Sequence, residues 1–310
     1  MTTEVVLIAL VLGAVGGAVI PFQTAINSGL AGRLGAIFPA SLISFAVGSA
    51  GLGLLVLATG TPMPWTATAA AQPWWIWIGG VCGLVFLTMN IVLMPRIGAS
   101  ATVVLPLVGQ VFGGLVVDMT GAFDTAVRPL GVVRALGAVL VVVGAAMVNL
   151  AGRPAVSTSA EAVHRPHPLL WVVAVLAGTL GAIQTAVNGR LGQAMGSALA
   201  AALVSCLVGT AGLLVVNLIS RPRLRRTGPI PWWMFSGGLL GAAFVLVNAF
   251  NAPILGTSLA VSIVLLGQVA AGLVLDHRGW LGVRPRPITV WRLLGAVIVL
   301  AGVALVRFAA

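Results

Sequence analysis

The chain has 310 residues, of which 60% are hydrophobic and only 7% charged. A soluble domain carries roughly 25% charged residues, so this composition excludes a soluble fold and predicts a membrane protein. The formal charge of +11 comes from 16 basic residues, all of them Arg, which lie singly or in short clusters between apolar runs as loop arginines do; we therefore exclude nucleic acid as a partner.

Apolar runs long enough to cross the hydrocarbon core, about 20 residues, occur ten times along the chain. Pro, Gly and Arg mark the breaks between them. The first run follows Glu4 without a basic region, so we expect no cleavable signal peptide. The sequence predicts an all-α integral membrane protein with ten transmembrane helices, at residues 5–30, 38–59, 74–94, 101–117, 134–150, 169–191, 198–220, 232–251, 259–275 and 291–308.

The two halves of the chain repeat each other. The pentapeptide "QTAIN" (Gln23–Asn27) returns as "QTAVN" (Gln184–Asn188), 161 residues later (184 − 23). A second offset of 158 residues (231 − 73) relates "PWWIWIGGVCG" to "PWWMFSGGLLG". The same offset of 158 relates Asn90 to Asn248, Gln110 to Gln268, Asp118 to Asp276, and Arg134 to Arg292.

These offsets predict a first five-helix repeat at residues 1–150, a linker at 151–168 and a second repeat at 169–310. The linker is rich in Pro, Ser and Thr. Because five spans is an odd number, the second repeat enters the membrane from the opposite side. The repeats are therefore expected to be inverted, as in many secondary transporters.

The distribution of arginine predicts the orientation. Loops after the odd-numbered spans hold twelve arginines and the opposite side holds four (Arg128, Arg134, Arg190 and Arg307). Since cytoplasmic loops are enriched in basic residues, we expect both termini to lie outside the cytoplasm.

Paired amides inside the spans are the main candidates for a functional site. Gln23 and Asn27 share a helix face because they are four residues apart. Such amides either join helices, at about 0.6–1.7 kcal/mol for each hydrogen bond, or line a polar route. The duplication favours the route, because transporter sites lie at the repeat interface. The substrate-binding candidates are Gln23, Asn27, Asn90, Gln110, Gln184, Asn188, Asn248 and Gln268.

Two details of these candidates leave alternatives open. A Gly precedes Gln110 and Gln268, and it either lets another helix approach or leaves room for a ligand. Asn90 and Asn248 lie near the predicted span ends, where capping or loop hydrogen bonds would explain them equally well.

None of the five acidic residues lies at mid-membrane. This argues against a buried carboxylate that exchanges protons for cations, and it favours a neutral or zwitterionic solute. Asp118 and Asp276 end the fourth and ninth spans. They are candidates for proton coupling, or they anchor nearby arginines.

Other residues predict structure rather than chemistry. Three scattered His and two Cys form no metal site and no catalytic set, so we expect neither an enzyme nor a cofactor. Trp residues that begin spans are typical of interfacial anchors. Glycines seven residues apart, at Gly137–Gly144 and Gly295–Gly302, predict close packing of the fifth and tenth helices.

Several of these motifs resemble the YdcZ-like branch of the drug/metabolite transporter superfamily in its fused two-repeat form. They are Q-x-x-x-N followed by "SFAVG" (Ser44–Gly48), "PWW…GG…G", "GQ" and "DHRG" (Asp276–Gly279), and the first half has "DMTG" (Asp118–Gly121) instead of the last. The resemblance implies that helices one, three, four, six, eight and nine surround a cavity. The central glutamate of the small multidrug-resistance relatives is absent here, which argues against drug-cation/proton exchange.

The sequence therefore predicts an inner-membrane secondary transporter that works by alternating access. The resemblance favours export, and the expected partners are a small polar solute and the lipid bilayer, with a homo-oligomer left open. The alternative is a non-transporting scaffold or lipid-handling protein whose amides only join helices.

Overall fold

The computed structural model describes residues 3–65, 67, 71–97, 99–150, 168–225, 227–282 and 287–308. This part of the chain forms ten long α-helices. The predicted linker falls outside it, apart from Pro168. The helices are α1 (Thr3–Leu34), α2 (Ile37–Thr59), α3 (Gly79–Ile97), α4 (Ala99–Thr120), α5 (Val132–Leu150), α6 (Pro168–Ala194), α7 (Ala198–Ser220), α8 (Ser236–Leu255), α9 (Thr257–Arg278) and α10 (Val290–Phe308).

The described chain is helical and its helices are predominantly apolar, which agrees with the predicted all-α membrane class. By length and composition, six of the described helical segments can cross a membrane: α1, α2, α6, α7, Trp232–Leu255 and Thr257–Leu275. The other helices contain shorter apolar stretches, at Gly79–Leu93, Leu105–Thr120, Val132–Val148 and Val290–Val306.

The third and eighth helices begin and end later than the sequence predicts. Each is preceded by a short 3₁₀ turn, Trp74–Trp77 or Trp232–Phe235, after an extended proline. At the other end, α8 continues through Pro253 to Leu255. A proline in the last turn removes only one backbone donor, so it does not stop the helix there.

The predicted packing of the fifth helix on the tenth is present. A Cβ atom added at Gly144 would lie 2.5 Å from the carbonyl oxygen of Gly295 and 2.7 Å from the amide nitrogen of Val299. Gly137 lies in the same way against Gly302, with 2.8 Å to its carbonyl oxygen. The backbones of α5 and α10 therefore touch, and Gly is the residue that permits this.

Helices of the two halves interleave through contacts that match across the repeat offsets. A side chain at Gly17 of α1 would overlap the carbonyl oxygen of Val264 in α9. A side chain at Gly178 of α6 would likewise overlap that of Pro106 in α4. These positions are related by the two offsets found in the sequence (178 − 17 = 161 and 264 − 106 = 158). Each half therefore provides the packing surface of the other.

Candidate functional site

The first amide pair packs against glycines of the other half. Gln23 and Asn27 lie on α1 and are buried. A side chain at Gly241 of α8 would overlap the carboxamide of Gln23, and one at Gly237 would overlap Oδ1 of Asn27. On its other side, Asn27 Nδ2 donates a hydrogen bond to Ser44 Oγ of α2 at 3.1 Å.

The second amide pair repeats this arrangement with the halves exchanged. Gln184 and Asn188 of α6 face Gly83 and Gly79 of α3, where a side chain would overlap the amides. Ser205 of α7 matches Ser44 (205 − 44 = 161). Its Oγ lies 3.5 Å from where a Cβ atom of Gly79 would be, so the same four residue types meet in both copies.

The two copies differ in their hydrogen bonds. Both amide atoms of Asn188 and the hydroxyl of Ser205 are buried and have no hydrogen-bond partner among the described residues. Among the Asn and Ser atoms of the first copy, only Oδ1 of Asn27 lacks one. A buried polar group without a partner costs free energy, roughly 1–3 kcal/mol in proteins. The second copy is thus the less satisfied of the two.

The spacing of the two motifs explains why they meet. Gln and Asn four residues apart lie on one helix face, and so do two Gly four residues apart. The glycines leave the space that the amides fill. The "GG" segments mark the repeat, and the four-residue spacing of their glycines, equal to that of the amides, is the sequence signal that identifies them as partners.

Gln110 and Gln268 lie in the middle of α4 and α9. Gln110 is buried, and its Cγ lies 3.4 Å from where a Cβ atom of Gly181 in α6 would be. Gln268 is half-buried. A side chain at Gly109 would overlap the carbonyl oxygen of Val175. Of the two interpretations of the preceding Gly, the structure therefore shows the close approach of a helix.

The four glutamines of the candidate set, Gln23, Gln110, Gln184 and Gln268, have no hydrogen bond to another described residue. Carboxamides both donate and accept. The hydrogen-bonding capacity of each of these side chains is therefore unused within the described part of the chain.

Asn90 and Asn248 are neither helix caps nor loop contacts. Each lies seven residues before the end of its helix (97 − 90 and 255 − 248). Their Nδ2 atoms donate to carbonyls of their own helices, those of Phe86 and Phe244, each at 3.0 Å. Oδ1 of Asn248 also accepts a bond of 3.4 Å from Thr185, the neighbour of Gln184. The structure thus places Asn248 beside the second amide pair.

Asp118 lies at the end of α4 in a fully bonded setting. Its carboxylate forms a buried ion pair with Arg134 and accepts hydrogen bonds from the backbone N–H groups of Thr257 (2.9 Å) and Ser258 (3.0 Å). An acid at the first turn of a helix is favoured by the helix dipole. Asp118 thus ties α4 and α5 to the start of α9, as the anchoring interpretation expects.

The structure does not bring Asp118 to the amides. It lies eight residues beyond Gln110 (118 − 110), which is about 12 Å along the helix. The side chain of Asp276, the matching candidate, is outside the described residues. Proton coupling by these two acids stays a prediction.

The arginine count needs one correction. The count treats Arg134 and Arg292 as loop residues, but both are buried in the protein. Arg292 donates to the carbonyl oxygen of Val148 at 3.0 Å. Since one belongs to each side of the count, omitting both leaves eleven against three (12 − 1 and 4 − 1), and the bias keeps its sign.

Comparisons with known proteins show the fold and the family of the chain. A search of curated proteins found no match. A solved structure titled "Crystal structure of protein" superposes with a TM-score of 0.67 at 14% identity, covering 97% of this chain and 96% of the other. At that identity the likeness shows the fold alone. The model of the DMT_YdcZ family, described as "Putative inner membrane exporter, YdcZ", matches residues 8–147 and 169–305. Because these two segments contain most of the sequence and both amide pairs, the chain belongs to the DMT_YdcZ family.

Proposed function

We propose that the protein is a secondary transporter that exports a small polar or zwitterionic metabolite across the inner membrane. The family description supports membrane export. The mechanism we propose is alternating access, in which the solute passes between the two halves along the amides. The observation that carries the proposal is the amide of Asn188, which is buried between the halves without a hydrogen-bond partner among the described residues.

The architecture that goes with this proposal is ten transmembrane helices in two inverted five-helix repeats, residues 1–150 and 169–310. Its support is the set of matched contacts, such as Gly17 with Val264 and Gly178 with Pro106. An inverted pair of repeats places equivalent contacts on opposite sides of the membrane. The arginine bias supports termini outside the cytoplasm.

A buried amide without a partner is costly, so a retained one calls for an explanation. If Asn188 only joined α6 to α3, a direct hydrogen bond would serve that role better. A solute or water that arrives in another conformation would supply the missing partner. We infer that the second amide pair is the part of the route least satisfied by the protein itself.

The chemistry of the candidate residues favours an uncharged or zwitterionic solute. Amides donate and accept hydrogen bonds without any requirement for net charge. The candidates for substrate contact are all Gln or Asn, and Asp118 is neutralised by Arg134. An isolated cation would find no counter-charge among these side chains.

Solute flux through a variant of the second pair tests the proposal. Gln184→Met with Asn188→Leu keeps side-chain size and removes the hydrogen-bonding groups. We expect this double variant to fold and to lose flux in inside-out vesicles, where a metabolite screen with and without a proton gradient first identifies the solute. The matched control is Gln193→Met, at an exposed position on the same helix, which should leave flux unchanged.

The alternative of a scaffold or lipid-handling protein predicts a different result. If the amides only join helices, the double variant lowers thermal stability and leaves any activity of the folded fraction unchanged. That outcome would contradict the proposed role.

A further inference from the structure

The two halves do not pack alike at their matched ends. The C-terminal part of α6 packs against that of α8, where a Cβ atom added at Gly192 would lie 3.5 Å from the carbonyl oxygen of Ala249. The matched helices are α1 and α3, which share no comparable interface within the described ranges. One end of the molecule is therefore closed between these helices, and its counterpart is not.

A hydrogen bond joins the closed end. Thr185 Oγ1 donates to Asn248 Oδ1 at 3.4 Å, and both residues are buried. The matched residues are Thr24 (185 − 161) and Asn90 (248 − 158). Both are half-buried, and no hydrogen bond joins them. The same residue types thus form a bonded pair at one end and a separated pair at the other.

The Thr185 hydroxyl has a second acceptor. The carbonyl oxygen of Gly181, one turn earlier on the same helix, lies 3.0 Å from Oγ1. This carbonyl oxygen is the nearer of the two acceptors that share the hydroxyl hydrogen. When α6 and α8 separate, the hydroxyl therefore stays bonded to Gly181, and no unpaired donor remains. Each Asn, in turn, keeps Nδ2 on its own helix, which leaves Oδ1 as the acceptor for the threonine.

A glycine permits the close approach at the closed end. A Cβ atom added at Gly189 would lie 2.7 Å from Ala252 Cβ and 3.1 Å from Pro253 Cδ. The matched position holds Ser28 (189 − 161), which has a side chain. The two ends are thus unequal in how closely their helices can pack.

We propose that Thr185–Asn248 and Thr24–Asn90 are two alternating latches, of which one is bonded at a time. The inference rests on the proposed transport function and assigns Asn90 and Asn248 to gating rather than to solute contact. In inverted repeats, an exchange of the conformations of the two halves separates α6 from α8 and brings α1 to α3. Breaking one latch and forming the other leaves one Thr–Asn bond in each conformation.

Cysteine cross-linking tests the latches without any solute. The protein carries Thr185→Cys, Asn248→Cys, Thr24→Cys and Asn90→Cys together, with native Cys82 and Cys206 replaced by Ala. It is oxidised in liposomes, denatured, and labelled with polyethylene glycol maleimide, which counts the free thiols of each molecule. We expect either pair to form a disulfide but never both, so that each oxidised molecule takes up two labels.

Two outcomes would overturn the latches. One is molecules with no label, because both pairs would then have closed at once. The other is failure of the 24/90 pair to link under conditions that link 185/248, because the α6–α8 contact would then be permanent. The control is Ser49→Cys with Thr210→Cys, a contact of 2.9 Å between matched positions of α2 and α7, which should link together with either latch.

A single substitution provides an independent measurement should the multiple variant fail to fold. Gly189→Ala, made separately in each two-cysteine protein, opposes closure of the α6–α8 end. We expect less 185/248 disulfide and more 24/90 disulfide than with Gly189. An unchanged ratio would contradict alternation.

The cross-linking experiment tests the latches and the flux experiment tests the transport function, so a failure of one proposal can be distinguished from a failure of the other. If only one latch at a time forms a disulfide but the protein moves no solute, the proposed function is contradicted and the conformational exchange is supported. If the protein moves solute but both latches form disulfides in the same molecule, the alternating latches are contradicted and the proposed function is not.

Discussion

Asp118 and Asn188 are buried to the same extent, with 1% of each exposed, yet their settings are opposite. Both oxygens of the Asp118 carboxylate accept hydrogen bonds, from Arg134 and from two backbone amides. Neither amide atom of Asn188 has a partner in the described structure. The hydrogen-bonding atoms of Asp118 are all used within the protein, whereas those of Asn188 have no partner among the described residues.

The difference follows from charge. An isolated carboxylate in a low-dielectric interior is far more expensive than an unpaired neutral amide, so Asp118 requires Arg134 beside it. An amide without a partner is tolerable if something else binds it part of the time. This distinguishes polar residues that hold the helices together from polar residues that can serve a solute.

Removal of the carboxylate should have the largest effect on stability. Asp118→Ala leaves Arg134 as a buried charge without its counter-ion, and we expect a loss of about 3–5 kcal/mol in the free energy of unfolding. Thermal or denaturant unfolding in detergent measures it. The control is Asp124→Asn, because Asn tolerates the left-handed backbone at this position (φ 55°) as Asp does. The mostly exposed carboxylate of Asp124 lies 3.6 Å from Arg190, and its removal should cost at most about 1 kcal/mol. Equal losses in the two variants would show that Asp118 is no anchor.

A side chain added at Gly79, where Asn188 packs, should have an intermediate effect on stability. Gly79→Ala would overlap Asn188, and overpacking of this kind typically costs about 1–3 kcal/mol. We expect the variant to lower both the melting temperature and the flux, because the amide must move. Gly32→Ala on α1, where a Cβ atom would meet nothing within 4 Å, should leave both unchanged. If the two variants behave alike, Gly79 does not provide the space that Asn188 needs.

The smallest effect should distinguish the two copies of the motif. Ser44→Ala removes the hydrogen bond to Asn27 and should cost about 0.6–1.7 kcal/mol, the range for such bonds in membrane proteins. Ser205→Ala removes a hydroxyl that has no partner among the described residues, so it should cost nothing or stabilise the protein slightly. Melting temperatures of the two variants in one detergent give the comparison. A larger loss at Ser205 would mean that the second copy is bonded in solution.

Part of this structure could be predicted from the sequence. Apolar runs predicted the helices because a membrane span must be long and nonpolar. The glycine heptads predicted the contact of α5 with α10, because only Gly allows two backbones to approach so closely. Both signals lie within a single segment of the chain.

The rest depends on contacts between distant segments. Anchoring of an arginine by Asp118 was one of two interpretations of the sequence, but Arg134 was not identified as the partner, because it begins a helix and its position resembles a loop in the sequence. The bond between Thr185 and Asn248 joins residues 63 apart, and no local pattern reports it. The sequence shows glycines at positions 79 and 237. It does not show which helix packs against them, because that depends on how the two halves pack together.

The central claim is that the two halves cross the membrane in opposite directions, so that the amide pair of each half packs against glycines of the other. Single cysteines at Pro62, after α2, and at Leu224, after α7, lie in exposed matching loops. A membrane-impermeant maleimide applied to intact cells, and then to inside-out vesicles, reports the side of each. The account predicts labelling of Pro62→Cys from outside the cytoplasm and of Leu224→Cys from the cytoplasm, whereas labelling of both from one side would contradict it.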